Sequence, residues 1–314
     1  MKKIIYDQYG SVDVLHSVEV NKPVPGKEQM LVKVKAVGIN PLDWKIIMGE
    51  VKLVTGKKFP KSVGCDFSGT IESIGQDIQK FKIGDDVFGV INPFKEGVLG
   101  EYILVTEKEI AWKPADLSFE QAAAIPTAGQ SALQMLTQNV SSLSGKEVLI
   151  NGASAGVGMF AIQFAKSQGA MVTAVSSAKG HPLLKKWGSD FVIDYNKEKV
   201  TDLKKKFDVI IELSAKLSFG KAKKLMKANS TYISVTPSLW NFVHSFSNNL
   251  LSRKKYKILL MKSDTRSLSQ LAHEVVKGMD VYISKTYPMA DYKEAYKTVI
   301  KEGALGKVVF NVAS

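Results

Sequence analysis

The sequence predicts a mixed α/β fold in which a doubly wound parallel sheet is inserted into a β-rich region. Three observations lead to this prediction. The first third of the chain contains short alternating strands punctuated by glycines, of which Met30–Val37 is the clearest. Beyond Pro114, continuous apolar strands alternate with helical segments, as expected of a parallel sheet covered on both faces. The earlier β-rich character then returns after residue 264.

The order of elements gives the predicted domains. Ser118–Gln121 fits a capping box that opens the helical middle part. We therefore predict a β-rich domain from residues 1–118 and 265–314, and an inserted domain from residues 119–264. The predicted strands of the insert are Glu147–Asn151, Met171–Val175, Phe191–Ile193, Asp208–Leu213, Tyr232–Val235 and Lys257–Met261. The predicted helices between them are Val157–Ser167, Pro182–Trp187, Val200–Lys206 and Leu217–Lys227.

Composition excludes several classes of protein. With 45% hydrophobic and 23% charged residues, the chain is neither collagen-like, disordered nor a coiled coil. The single cysteine, Cys65, cannot form an intramolecular disulfide, and the four histidines are scattered. The net charge is +13, but only Arg253 and Arg266 are arginine. We interpret the lysines as a solvated surface and predict no nucleic-acid binding.

The N-terminus lacks the apolar run of a signal peptide, because Tyr6, Asp7 and Gln8 follow Ile4–Ile5. The apolar stretch Val148–Val175 is interrupted by glycines and polar residues, so it is not a spanning segment. We expect a cytoplasmic protein without stable membrane insertion.

A small-residue loop, Gly152–Gly158 (GASAGVG), follows the strand EVLIN and precedes a helix. This context is typical of a dinucleotide-binding turn, in which backbone N–H groups approach a pyrophosphate at the helix N-terminus. The pattern also permits a tight turn that serves only packing. It contains G-x-S-x-G around Ser154 as well, which makes an α/β serine hydrolase a remote alternative.

The second strand of the insert predicts the cofactor. It ends in Ser176, Ser177 and Lys179 rather than in a carboxylate that would bind a ribose hydroxyl. Hydroxyls and a lysine suit the 2′-phosphate of NADP(H), so we predict NADPH. The alternative is that Ser177 and Lys179 are ordinary surface-loop residues.

Seven stretches in order resemble the medium-chain dehydrogenase/reductase superfamily, and most closely its zinc-independent quinone oxidoreductase branch. They are Gly38–Lys45, Gly64–Gly69, Gly84–Gly89, Ala124–Gly129, Gly152–Gly158, Val192–Tyr195 and Gly306–Val309. The resemblance implies a GroES-like catalytic domain, made from both chain ends, around an inserted Rossmann domain.

The resemblance also bears on metal chemistry. Where zinc-dependent relatives have a cysteine, a histidine and a further cysteine as ligands, this chain has Asn40, Cys65 and, nearby, Thr127. The resemblance thus implies no metal site. Without a Lewis acid to generate an alkoxide, alcohol oxidation is disfavoured, and hydride transfer from NADPH to a quinone or an α,β-unsaturated carbonyl is predicted.

The resemblance further assigns site residues. It places Asn40 and Asp43 at the substrate and nicotinamide end of the cleft as the catalytic candidates. The residues it assigns to cofactor binding are Thr127, Ala153, Ser154, Ala155, Gly156, Val157, Gly158, Ser177, Lys179, Tyr195, Val235, Thr236, Leu305 and Lys307. Simpler roles are open for three of these: a turn at Asn40, a helix cap at Asp43 and a packed aromatic at Tyr195.

Two alternatives to the predicted enzyme are kept: a dinucleotide-binding protein with a structural or regulatory role, and the hydrolase. The apolar strand Lys257–Met261 predicts a homodimer that covers an exposed sheet edge. The aromatic segment Pro237–Lys255 is interpreted as an active-site cover, a subunit contact or a peripheral membrane contact.

Overall fold

The computed structural model describes residues 1–312 of the chain. It divides into two compact units, one made of Met1–Thr127 with the chain from Ser263 onwards, the other of Ala128–Lys262. The insertion of one unit into the other follows the predicted order of β-rich and α/β segments. The functional domains predicted at 1–118, 119–264 and 265–314 stay a prediction.

The N-terminal part of the first unit is mostly β. Its strands are β1 (Lys2–Tyr6), β2 (His16–Glu19), β3 (Met30–Gly38), β4 (Lys61–Ser62), β5 (Asp66–Ile74), β6 (Asp86–Val90), β7 (Tyr102–Val105) and β8 (Ile110–Trp112). The helices that begin in it are α1 (Pro41–Ile47), α2 (Lys52–Thr55), α3 (Phe119–Ala124) and α4 (Pro126–Asn139). Helix α3 begins at the predicted capping box, because Ser118 Oγ accepts a hydrogen bond from the Gln121 N–H at 3.1 Å.

The second unit is a six-stranded parallel sheet with strand order β11-β10-β9-β12-β13-β14. The strands are β9 (Glu147–Asn151), β10 (Met171–Ser176), β11 (Phe191–Asp194), β12 (Phe207–Glu212), β13 (Met226–Ser234) and β14 (Lys255–Ile258). The helices are α5 (Gly156–Ser167), α6 (His181–Lys186), α7 (Phe219–Ala222) and α8 (Leu239–Leu251). The order reverses beside β9, so the carboxyl ends of β9, β10 and β12 meet at the edge where such sheets bind ligands.

The C-terminal part returns to the first unit with α9 (Thr265–Val276), β15 (Ile283–Pro288), α10 (Tyr292–Glu302) and β16 (Lys307–Asn311). Strand β16 pairs with β3, and β3 pairs with β5, within a seven-stranded sheet of the described residues. In this register Val309 lies opposite Gly38, and Gly38 lies opposite Asp66. The three strand ends are thereby brought side by side.

Two predicted helices are shorter than expected. Val200–Lys206 is helical only as a single 3-10 turn at Val200–Asp202, because the lysines after it carry no apolar face before β12 begins. Leu217–Lys227 is reduced to α7 and a 3-10 turn, because Met226 already pairs with Phe207 in the sheet. The segment Pro237–Lys255 mostly forms α8. Among residues 1–312, no helix has both the length and the apolar character needed to cross a membrane.

Candidate active site and cofactor-binding residues

A lysine lies at the centre of a buried polar cluster in the first unit. Lys307, the first residue of β16, is only 4% exposed. Its ammonium donates hydrogen bonds to Ile39 O at 2.9 Å and to Asn40 Oδ1 at 2.8 Å, and lies 3.6 Å from Asp66 Oδ2. The chain thus places one positive charge beside one fully buried carboxylate, the pairing that a buried charge requires.

Asp66 collects donors from three segments. The Thr127 hydroxyl donates to its Oδ1 at 2.5 Å, and the Thr127 N–H lies 3.1 and 3.2 Å from its two oxygens. Asn40 Nδ2 donates to Oδ2 at 2.9 Å. The amide of Asn40 is therefore oriented by both neighbours, with its nitrogen to Asp66 and its oxygen to Lys307. The predicted residues Asn40, Thr127 and Lys307 are brought together by a carboxylate to which the sequence analysis assigned no role.

Asp43 lies behind Asn40 as the third residue of α1. Its Oδ2 accepts the backbone N–H of Asn40 at 2.9 Å and lies 3.5 Å from the buried Tyr296 hydroxyl. Burial, reinforced by the nearby charge of Asp66, raises the pKa of Asp43 to about 7. This carboxyl therefore exchanges a proton near neutral pH while it holds the backbone at Asn40.

The lone cysteine lines the same cluster. Cys65 Sγ lies 3.6 Å from Thr127 Oγ1 and 4.0 Å from Asp43 Oδ1. Burial, with the charges of Asp66 and Asp43, holds its thiol pKa well above the usual value, so the group stays protonated. Within residues 1–312, no group of three or more His, Cys, Asp or Glu side chains is arranged to hold a metal ion.

In the second unit, the predicted phosphate loop lies between β9 and α5. Helix α5 begins after Ala155, whose methyl side chain has no acceptor with which to cap it. A first turn that its cap residue does not satisfy suits an incoming phosphate. The loop is held against strand β10, because the Ala153 N–H donates a hydrogen bond to Val175 O at 2.9 Å.

Two glycines set the shape of this loop. A Cβ on Gly158 would lie 2.2 Å from Ala153 O, so only glycine lets α5 pack so closely on the turn. A Cβ on Gly180 would lie 2.8 Å from Ser154 Cβ and 2.7 Å from Ser176 Oγ. The absence of a side chain at Gly180 therefore brings the turn after β10 directly against the phosphate loop.

The residues predicted for the 2′-phosphate surround the end of β10. Ser177 is half-buried, Lys179 is exposed, and the Tyr195 N–H donates to Ser176 O at 3.2 Å. The sequence analysis missed a second cation here: the Lys216 ammonium lies 5.7 Å from the centre of the Tyr195 ring. It also missed a carboxylate, Asp194, whose Oδ1 accepts both the backbone and side-chain N–H of the residue two positions later at 3.0 Å.

The other predicted residues of the second unit lie at the ends of strands. Thr236 follows β13, and its hydroxyl lies 2.7 Å from Ser234 Oγ, while Asn241 Nδ2 donates to its carbonyl at 2.9 Å. Val235 beside it is half-buried. In the first unit, Leu305 is half-buried and precedes the buried Lys307.

A further anchor of the phosphate loop was not predicted. The buried Glu212 at the end of β12 accepts hydrogen bonds from Asn151 Nδ2 at 2.7 Å and from the Ser214 hydroxyl at 2.6 Å. Asn151 is the last residue before the loop. Polar residues that end two neighbouring apolar strands are the sequence signal that could have revealed this pair.

The serine hydrolase alternative depends on a hydrogen bond between Ser154 and a histidine. A serine nucleophile requires a histidine within hydrogen-bond reach. Across the described part of the chain, Ser154 Oγ has no hydrogen bond to a histidine. Ser154 instead belongs to the turn that contacts Gly180.

Comparisons with known proteins agree with this architecture. Residues 26–115 match the family "Alcohol dehydrogenase GroES-like domain", and residues 187–310 match "Zinc-binding dehydrogenase". A chloroplastic quinone-oxidoreductase, QR1, from Triphysaria versicolor is 33% identical over 98% of both chains. An NADPH-dependent alkenal/one oxidoreductase from Arabidopsis thaliana is 34% identical over 81% of this chain and 68% of its own length. The solved quinone oxidoreductase from Coxiella burnetii is 30% identical, with a TM-score of 0.91 over 99% of both chains.

The chain belongs to the quinone oxidoreductase branch of the medium-chain dehydrogenase/reductase superfamily. The predicted Rossmann sheet, inserted in a GroES-like domain, is confirmed.

Proposed function

We propose that this protein is an NADPH-dependent oxidoreductase that transfers hydride to a quinone or an α,β-unsaturated carbonyl. The observation that carries the proposal is the uncapped phosphate loop at the switch point of a parallel sheet. Relatives of the chain are named a quinone-oxidoreductase and an alkenal/one oxidoreductase, which supports this substrate class.

The dinucleotide is held mainly by the second unit in this proposal. The phosphate loop takes the pyrophosphate, and the turns after β10 and β13 take the adenosine and nicotinamide ends. When bound, the reduced nicotinamide supplies the hydride. The proposed binding residues are those predicted: Ala153, Ser154, Ala155, Gly156, Val157, Gly158, Ser177, Lys179, Tyr195, Val235 and Thr236, with Thr127, Leu305 and Lys307 from the first unit.

We propose that Asn40 and Asp43 act at the substrate. Lys307 and Asp66 fix the amide of Asn40 from opposite sides, and Asp43 fixes its backbone. Such a preorganised group positions a carbonyl without moving during the reaction. Reduction of an enone adds the hydride to the β-carbon and a proton to the α-carbon, whereas a quinone gains two electrons and two protons.

We propose that the reaction needs no zinc. The oxygen of the Asn40 amide, the atom that could bind a metal, already accepts a hydrogen bond from the Lys307 ammonium. Dialysis of the folded protein against a chelator should leave its turnover of an enone unchanged. Turnover that is lost on dialysis and returns with zinc would contradict this part of the proposal.

The preference for NADPH over NADH rests on Lys179 and Lys216, the two exposed cations beside Ser177 and Tyr195. The 2′-phosphate of NADPH carries about two negative charges, which two lysines attract. The 2′-hydroxyl of NADH is neutral and gains no such attraction.

The test is consumption of NADPH and of NADH by the purified full chain with a panel of quinones and enones. We expect turnover of at least one class with NADPH and weaker turnover with NADH. Tight NADPH binding by folded protein without turnover of any panel member would overturn the proposal. That result would favour the structural or regulatory dinucleotide-binding role.

Three further predictions belong to this proposal. We propose a homodimer through β14, which ends the order of the parallel sheet, and sedimentation velocity tests it. A cytoplasmic location and the domain boundaries at 118/119 and 264/265 complete the proposal, and are tested by fractionation and limited proteolysis.

A further inference from the structure

Helix α8 packs with its polar side towards the protein. Ser245 Oγ donates to Tyr256 O at 2.6 Å, and Asn249 Nδ2 donates to the same carbonyl at 2.7 Å. Asn248 Nδ2 donates to Lys254 O at 2.7 Å. These bonds tie the helix to the backbone of β14 and to the turn before it. A surface helix normally does the opposite and buries its apolar side.

The apolar residues of α8 therefore point to solvent. Trp240 is 76% exposed, Val243 55%, Phe246 70%, Leu250 71% and Leu251 90%. Spacings of three and four place them along one stripe of the helix, which we call the α8 face. A contiguous exposed stripe with two large aromatics marks an interaction surface.

The surroundings of the α8 face are strongly cationic. Between Glu212 and Asp264 the sequence contains no acidic residue but ten lysines and arginines. Some of these lie in the segment before β13, others in the segment after α8. The two segments are adjacent, because the Lys254 ammonium donates to Lys223 O at 2.8 Å. The exposed Arg253 and Lys257 extend the cationic border.

We propose that the α8 face docks onto an anionic lipid surface. In this arrangement the aromatic and aliphatic side chains enter the headgroup boundary, while the flanking lysines and Arg253 contact the acidic headgroups. A helix of 13 residues is about 20 Å long, too short to span the hydrocarbon layer, so it lies in the plane of the surface.

Charge complementarity favours lipid over a second copy of the chain. A second copy that presented its own α8 face would bring the same acid-free stretch, and the two cationic borders would repel. An anionic bilayer attracts the border and accepts the apolar stripe at once. This inference goes beyond the proposed reaction and does not depend on it.

The test is co-sedimentation of the full chain with vesicles. We expect binding to phosphatidylcholine vesicles that contain about 30% phosphatidylserine, and much weaker binding to pure phosphatidylcholine. Raising the salt from about 0.05 to about 0.5 M should release the protein. The double variant Trp240→Ser/Phe246→Ser should bind about a hundredfold more weakly. The control Val24→Ser removes an 85% exposed apolar side chain from the first unit and should bind as the unaltered chain does.

A second variant tests the charge part separately. The variant Arg253→Gln/Lys257→Gln should have an affinity for the anionic vesicles that is lower than that of the unaltered chain by roughly fivefold for each charge removed. Its affinity for the neutral vesicles should be unchanged. Equal binding to both vesicle types, or full binding by the Trp240→Ser/Phe246→Ser variant, would overturn the proposal. So would a wild-type chain that ignores vesicles but dissociates into monomers when the α8 face is altered, since the occupant would then be a second copy.

Discussion

Replacement of Lys307 by methionine tests the buried cluster most sharply. Methionine fills nearly the same space but removes the ammonium, so Ile39 O and Asn40 Oδ1 lose their donor and Asp66 loses its counter-charge. Asp66 is fully buried, and water cannot replace the missing partner without a rearrangement.

The expected loss follows from the remaining contacts. Removal of one member of a buried ion pair costs about 3–5 kcal/mol of unfolding free energy. Asp66 keeps three donors, from the Thr127 N–H, the Thr127 hydroxyl and the Asn40 amide. We therefore expect Lys307→Met to lie at the lower end, at about 3 kcal/mol.

Urea unfolding followed by circular dichroism measures this loss. The double variant Lys307→Met/Asp66→Asn also removes the stranded charge, and we expect it to recover about 1–3 kcal/mol relative to the sum of the single variants. Lys301→Met is the matched control, because Lys301 is an exposed lysine of helix α10 in the same unit and its loss should barely move the midpoint.

Two results would be incompatible with a coupled buried pair of Lys307 and Asp66. One is a Lys307→Met protein whose stability lies within about 1 kcal/mol of the unaltered chain. The other is a double variant whose loss equals the sum of the two single losses, because the lysine and the carboxylate would then act independently.

Three further predictions concern other parts of the site. Burial raises the pKa of Asp43 from 3.8 to about 7, so between these values the native state keeps a proton that the unfolded chain loses. The free energy of unfolding should therefore fall as the pH rises from 3.8 to about 7. Asp43→Asn should abolish this fall and be more stable at pH 8 by up to about 4 kcal/mol in thermal or urea unfolding; an unchanged pH profile would contradict the burial argument. Lys179→Ala should raise the KM for NADPH about tenfold and leave that for NADH unchanged, with exposed Lys199→Ala as control; equal effects on both cofactors would refute the 2′-phosphate assignment. Gly158→Ala should weaken NADPH binding more than tenfold in titration calorimetry because its Cβ meets Ala153 O, whereas Gly220→Ala, with open space around it, should not; normal binding by Gly158→Ala would contradict the loop geometry.

The local features of the second unit could be predicted from the sequence. EVLIN followed by small residues and a helix is a short-range pattern, and the structure places a strand, a turn and α5 there. The strand before the turn at Ser177 was also predicted from its residues alone, whereas the role of that turn towards a 2′-phosphate stays a prediction. Element ends were less predictable, because β13 begins at Met226 through pairing with β12 rather than through any local signal.

The buried cluster could not be predicted in full, because it depends on pairing between distant strands. The sequence analysis assigned Lys307 to cofactor binding, and that role stays a prediction, whereas the structure shows its ammonium turned towards Asn40 and Asp66. Only the register of β16, β3 and β5 brings position 307 beside position 66. The inverted packing of α8 was equally hidden, since its periodicity indicates an apolar stripe but not the side on which that stripe lies.

Direct hydride transfer from NADPH to an enone or quinone is tested by following the transferred hydrogen itself. NADPH that carries deuterium at both hydrogen positions of the nicotinamide C4 is incubated with the protein and an enone, and the product is examined by mass spectrometry and NMR. We expect one deuterium on the β-carbon of the saturated ketone. A product without carbon-bound deuterium, or no product from folded protein with any quinone or enone, would contradict it.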